Sequence, residues 1–243
     1  MKQVAPVPPA CPDWSGFYIG GFGGYKFSTV DSNLDLNGLW TRFPEGRDAI
    51  ESRAPRDVDN SGGEAGGLVG YNYQWRRWVF GLEGDAGYLW ARDSRDSGII
   101  AVDSGDGYDV HTSFKTRYLA TFGPRVGYTF CRWMPYITGG LAVGDLDYRQ
   151  HFSNIFSRSI VGFTFHDEGS EQQTNVGWMV GGGLEYALTD HWHIRGQYQY
   201  IDLGSVDFNT AGFGNISFDP AFTAHHEASL REHNASFAIT YKF

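Results

Sequence analysis

The sequence predicts an all-β fold, an eight-stranded antiparallel up-and-down transmembrane β-barrel, and three observations carry that expectation. The first lies in residues 234–243, where Ala235, Phe237, Ile239, Tyr241 and Phe243 alternate with Asn234, Ser236, Ala238, Thr240 and Lys242. Successive side chains of a strand point to opposite sides, so this segment has one apolar and one polar face. The second is that comparable alternation recurs to give eight segments in all. The third is that the connections alternate strictly between long and short. A meander in water has no reason to sort its loops in this way, whereas a membrane barrel has short turns at one end and long loops at the other.

Taken in order, segment 16–25 aligns Phe17, Ile19 and Tyr25, and segment 64–73 aligns Val69, Tyr71 and Tyr73. Segment 78–90 sets Trp78, Phe80, Leu82, Ala86, Tyr88 and Trp90 against Gly81, Glu83, Asp85 and Gly87. Segment 113–130 points Tyr118, Ala120, Phe122, Val126, Tyr128 and Phe130 outward and Arg117, Thr121 and Arg125 inward. Ile137, Leu141 and Val143 lie outward in 134–148. Segment 174–187 sets Val176, Trp178, Val180, Leu184 and Tyr186 against Met179 and Glu185. In 192–203, Trp192, Ile194, Tyr198 and Tyr200 oppose His193, Arg195, Gln197 and Gln199, and 234–243 completes the set. Roughly 9 to 11 residues cross a bilayer as a tilted strand, which each segment supplies.

The short connections are 74–77, 131–133 and 188–191; the long polar ones, read as extracellular loops, are 26–63, 91–112, 149–173 and 204–232. An even strand count places both termini beside the short turns, on the periplasmic side. Residues 1–13, with Pro6, Pro8, Pro9 and Pro12, read as an extended periplasmic leader before a barrel over 14–243. Trp78, Trp133 and Trp192, with Tyr73, Tyr128, Tyr186 and Phe243, fall at the short-turn ends; Trp90, Tyr148 and Tyr200 fall towards the long loops. These are two aromatic belts, one per interface.

Composition agrees. A mean hydropathy of −0.37 would suggest a protein of water, but a barrel hides its apolar residues at alternate positions. The 33 glycines suit curved strands around a crowded lumen. A net charge of −9 excludes the basic footprint of a nucleic-acid binder. No cleavable signal peptide precedes Ala5-Pro6-Val7, so the chain reads as a mature or recombinant form.

Trp14-Ser15-Gly16-Phe17-Tyr18-Ile19-Gly20-Gly21 resembles the opening of the small outer-membrane β-barrel family of α-proteobacteria, the Omp25/Omp31 type. Pro135-Tyr136-Ile137-Thr138-Gly139-Gly140-Leu141-Ala142 and Gly181-Gly182-Gly183-Leu184-Glu185-Tyr186-Ala187 resemble its later strands, as does the terminal Tyr241-Lys242-Phe243. The resemblance implies an OmpA-like barrel without a peptidoglycan-binding domain, porin-like in name, abundant in the Gram-negative envelope and exposed at the cell surface. It also implies that Tyr241 and Phe243 belong to the signal read by the barrel-assembly machinery. Tethering to peptidoglycan through the amino terminus, seen in some relatives, is carried by resemblance alone.

The inward charges Glu83, Asp85, Arg117, Arg125, Glu185 and Arg195 are expected to form a lumen ion-pair network. An eight-stranded barrel is just wide enough for its side chains to fill, and unpaired buried ions are costly. That favours a plug over a conducting path. Cys11 and Cys131 both fall on the oxidising periplasmic side; a disulfide, two free thiols and an intermolecular bridge all stay open. His191 with His193, and His225, His226 and His233 near Glu227 and Glu232, invite a metal site, but nothing makes three or four ligands converge. Asp93 or Ser94 with His111 is the best available rim constellation for an enzyme, with no spacing that singles it out. Gly20 to Gly24 and Gly181 to Gly183 precede no helix, as phosphate loops would.

The expected role is structural, without enzyme activity, metal or cofactor: a barrel that stabilises the envelope and presents acidic loops. Asp31, Asp35, Glu45, Asp48 and Glu51 crowd the first loop. Such loops would meet lipopolysaccharide through divalent cations, or another surface protein. The alternatives are a narrow solute or ion channel and a soluble lipocalin-like carrier, the latter requiring apolar residues inside.

Overall fold

The computed structural model describes residues 11–53, 57–101, 107–156, 165–211, 213–214 and 222–243. Its β-segments are β1 Gly16–Gly38, β2 Asp57–Trp75, β3 Trp78–Asp96, β4 Ile100–Ala101, β5 Gly107–Tyr128, β6 Trp133–Phe156, β7 Phe165–Ala187, β8 Trp192–Ala211, β9 Phe213–Gly214 and β10 Phe222–Lys242. The eight long ones pair antiparallel in the order β3-β2-β1-β10-β8-β7-β6-β5, and β3 pairs with β5 to close the ring. Every long strand therefore has two neighbours. Closure is what a sheet in lipid requires, because an open edge would leave amides without partners.

The faces fall as alternation dictates. Phe80, Trp178 and Phe237 are 45%, 50% and 52% exposed, whereas their inward counterparts Val79, Met179 and Ala238 are buried. A wall of exposed Phe, Tyr, Trp, Leu, Ile and Val facing outward is incompatible with water and is what acyl chains solvate. The lipocalin arrangement, apolar inside and polar outside, is absent from the described residues.

The short connections are as tight as the sequence indicates. β2 and β3 are joined by Arg76 and Arg77 alone, and Arg76 takes the left-handed φ of 58° that a two-residue hairpin turn demands. Cys131 does likewise at 57°, beside the reciprocal Phe130–Trp133 backbone pair.

The strand lengths correct the sequence reading. β1 has 23 residues and β6 has 24, so the ladder runs deep into 26–63, 91–112, 149–173 and 204–232. At about 3.3 Å per residue such strands reach roughly 75 Å, about twice what a tilted crossing needs. The reason is visible on β1. Its outward residues are apolar up to Phe27 and then turn to Thr29, Asp31 and Asn33. Beyond the lipid the outer face need not be apolar, so the hydrophobic period fades while the hydrogen-bonded ladder continues.

Those distal extensions also carry a core of their own. A 3₁₀ turn, Leu39–Arg42, and the helix α1, Pro44–Arg53, fold over the open end. Leu34, Leu36, Leu39, Trp40, Ile50, Ile100, Val110, Phe222 and Ala224 pack together there, with the Trp40 and Phe222 rings 4.8 Å apart. A segment read as a polar loop is thus half cap.

Candidate functional site

The candidate site is the lumen, built in layers from the short-turn end. Trp14, fully buried, lies across the floor against Val79, Met134 and Ala187. Its indole nitrogen donates to the Cys131 carbonyl at 3.2 Å, its backbone N–H donates to the Gln74 side chain at 2.8 Å, and its ring sits 4.7 Å from His193. Cys11 is disulfide-bonded to Cys131, with Cα atoms 4.7 Å apart, and Lys242 donates to the Asp13 carbonyl. Residues 11–14 are therefore pinned beneath the barrel from several sides.

Above the floor, Glu83 accepts from Tyr18 at 2.6 Å, from Arg195 at 2.6 Å and from Arg125 at 3.1 Å. Arg125 reaches across to Glu185 at 2.6 Å, which also meets His193 at 3.1 Å. The Arg125 guanidinium lies 4.1 Å from the Tyr136 ring, and Tyr136 donates to Gln197 at 2.5 Å. Two guanidiniums face two carboxylates, so the layer is balanced, with all four charged side chains buried. Glycines make the room: a Cβ on Gly81 would come within 3.0 Å of Arg125 Cγ.

A small apolar layer of Tyr18, Leu68, Ala238 and Phe22 follows. Next comes a second polar layer, the fully buried Lys26–Glu232 ion pair with Glu64 and Asn234 beside it. Leu89, Leu119, Ala142, Met179, Ile201, Leu203, Ala228 and Leu230 then fill the section above.

The six charges predicted for the lumen separate into groups. Glu83, Arg125, Glu185 and Arg195 form one network. Asp85 stands apart, accepting from Thr121 at 2.5 Å. Arg117 leaves the lumen: a bulge between Thr116 and Leu119 puts it on the outer side with Tyr118, where it pairs with Asp147 at 3.3 Å. Sequence reading missed Lys26 and Glu232, because both fall inside a supposed loop. It also passed over Trp14, whose burial no alternation signals.

The belt residues Tyr73, Trp78, Trp133 and Trp192 are exposed at the short-turn end, where Trp78 packs on Tyr128 at 5.2 Å. At the far interface Trp90 packs on Tyr88, and Tyr200 packs on Trp178 at 5.5 Å. The Tyr148 side chain lies outside the described residues, as do those of Asp93 and Ser94 and all of residues 1–10. Among the described residues, the five histidines singled out as possible ligands do not converge into a metal-binding group. His193 is inside, while His191 lies in the preceding turn, its ring nitrogen 2.9 Å from the Lys242 carbonyl. His226 and Glu232 point inward from β10, and His225, Glu227 and His233 occupy its other face. Burial pushes the His226 imidazole down to about 4, with His225 adding to the effect.

The terminal Phe243 donates its N–H to Phe17 O at 2.9 Å, which completes the closing seam. Residues 5–243 match the family described as outer membrane protein beta-barrel domain. The chain is 29% identical over 217 residues to the 25 kDa outer-membrane immunogenic protein of Brucella abortus, covering 87% of this chain and 78% of that one. It is 29% identical over 247 residues to the 31 kDa outer-membrane immunogenic protein of Brucella melitensis, covering 98% and 88%. Among solved structures, OprG of Pseudomonas aeruginosa matches at 13% identity with a TM-score of 0.41, over 94% of this chain and 97% of that one. With a closed ring, an apolar outer wall and a family match along nearly its whole length, the chain belongs to the outer-membrane β-barrel protein family.

Proposed function

We propose that the protein is a structural, non-enzymatic element of the outer membrane, a plugged barrel that strengthens the envelope and holds a surface scaffold outside it. The observation that carries this reading is the filling of the lumen. From Trp14 through the arginine–glutamate layer to the Leu119–Leu203 layer, successive sections are occupied by buried side chains. Ions crossing by this route would have to displace paired charges and packed apolar groups together.

Planar-bilayer recording tests it, with no stable open level expected from the purified protein. A steady conductance from monomers would favour the channel reading instead. We further propose that both termini and the disulfide face the periplasm, since the short turns lie at that end. An epitope inserted at Gly98, where a side chain would meet nothing within 4 Å, should be detected on intact cells. Detection only after permeabilisation would reverse the orientation.

A further inference from the structure

Above the lipid the ring divides. The pairing of β2 with β3 starts at Trp75 opposite Trp78 and stops at Glu64 opposite Leu89. That of β7 with β8 starts at Ala187 opposite His193 and stops at Trp178 opposite Asp202. The pairings β1–β2, β1–β10 and β10–β8 continue on one side, and β3–β5, β5–β6 and β6–β7 on the other. The outer part is therefore two sheets, β2-β1-β10-β8 and β3-β5-β6-β7, each with unpaired edges.

The split between β7 and β8 has a local cause. Gly204 takes a left-handed φ of 72°, its N–H donates to the Asp202 carboxylate at 2.9 Å, and the β10–β8 register shifts between Ser229 and Arg231. β8 thereby leaves β7 and follows β10. At the fork Asn175 Nδ2 donates to the Leu203 carbonyl at 3.1 Å, a side chain standing where the next ladder bond would fall. The strands meet again at the top, where β9 sets Gly214 opposite Phe165 and Phe213 opposite His166. Between fork and clasp, among the described residues, 167–177 of β7 pair with β6 alone and 203–211 of β8 with β10 alone.

An unpaired edge is a template for another strand, and proteins commonly blunt such edges with Lys or Pro. Neither edge here contains a Lys, Arg or Pro. Charge narrows what fits. Asp207 on β8 lies directly across from Glu227 on β10, both exposed, and like charges so placed are destabilising until something opposes them. Asp31 and Asp35 stand on the same face of β1. Arg231, 3.5 Å from Asp31, is the one permanent cation among the described side chains of that face.

We propose that the β7–β8 split is a docking site for an extended, cationic segment of another protein, taken up as an added strand between the two edges. Backbone N–H and C=O groups of β8 and β7 hold it, and its basic side chains meet Asp207 and Glu227. The site deepens the reading of this end as a surface scaffold and rests on it. Sidedness is tested by the Gly98 epitope, whereas both faces of a nanodisc are open to a peptide, so the two fail separately.

The experiment uses the full chain in nanodiscs and a fluorescent peptide of about ten residues alternating Lys with Val, long enough to span the split. Polarisation should show it bound about tenfold more tightly than a copy with Glu in place of Lys. It should also bind about tenfold more tightly than a copy N-methylated at alternate residues, which keeps its charge but cannot pair. D207K/E227K should weaken binding about fivefold, whereas Glu45→Lys, on the cap helix, should leave it unchanged. With peptide bound, amide exchange over 203–211 should slow about tenfold, and that over 192–202, already paired on both sides, should not change. Equal binding of the N-methylated peptide by the unaltered protein would overturn the proposal, whether or not D207K/E227K folds. So would finding every amide over 203–211 protected in the free protein, or a second copy of the chain pairing along this edge in place of the peptide.

Discussion

Replacing Arg125 by Met tests whether the lumen layer holds the barrel together. The guanidinium bridges Glu83 at 3.1 Å and Glu185 at 2.6 Å, and rests on the Tyr136 ring. Met fills comparable volume, so the change removes charge and hydrogen bonds rather than bulk. Glu83 would keep Arg195 and Tyr18 as donors. Among the described residues Glu185 would keep only His193 as a hydrogen-bond partner and would lose its directly bound cation, with Arg195 acting on it only from a distance. Leaving a buried carboxylate without its counter-ion costs about 3–5 kcal/mol, or roughly two to four orders of magnitude in the folding equilibrium. Arg195→Met should cost less, because the carboxylate it ion-pairs with, Glu83, retains Arg125. The double variant R125M/E185Q should recover part of the loss, since the orphaned charge is gone. Urea unfolding of the refolded protein in micelles, followed by tryptophan fluorescence and gel mobility, gives all three values. A cost for Arg125→Met below about 1 kcal/mol, or a larger cost for Arg195→Met, would refute the reasoning.

Four other outcomes follow from the same geometry. Cys11→Ser opens a tether spanning 120 residues of sequence and should destabilise the barrel by about 2–5 kcal/mol, read by the same titration with and without reductant. Trp14→Ala should cost about 3–5 kcal/mol, and an unchanged midpoint would show that the floor bears nothing. Trp40→Ala should speed amide exchange in α1 and the distal part of β10 while sparing the strands below, because the cap has its own core. His226, neutral in the fold down to about 4, would bind a proton near 6.5 once exposed. Above pH 6.5 both states are neutral and pH has no effect through this group. Between 6.5 and 4 the unfolded state holds more protons, so the cap should weaken as pH falls, by about 3 kcal/mol at most. Exchange rates of β10 measured across that window should lose their slope in His226→Gln.

The transmembrane half was legible because lipid imposes a rule that each residue obeys singly. Phe237 and Ile239 must face acyl chains and Ala238 and Thr240 must not, so periodicity alone fixes the faces of β10. Glu83, Arg125, Glu185 and Arg195 were legible by the same rule, as charges on the inward face of strands too narrowly arranged to leave them wet. Arg117 was misplaced because a bulge shifts the alternation by one residue, and no residue type announces it. The long strands were cut short since Thr29, Asp31 and Asn33 no longer oppose apolar neighbours in a simple period. Trp14 was invisible for a different reason: its burial depends on Cys131 and Gln74, which lie far away in sequence.

These failures share a cause that bears on function. Inside the membrane the solvent dictates the pattern, and outside it only pairing does. A ladder continued about ten residues past the lipid buries the cap core and sets charges at fixed heights above the belt. Separate flexible loops would hold neither. Asp147 illustrates the difference: it is bound by Arg117 from the strand beside it and by Arg149 two residues along its own strand, positions that the β5–β6 pairing and its bulge at Arg117 bring together. Outside the lipid, then, a barrel with a filled lumen carries a paired sheet and a packed cap that hold its exposed side chains in register.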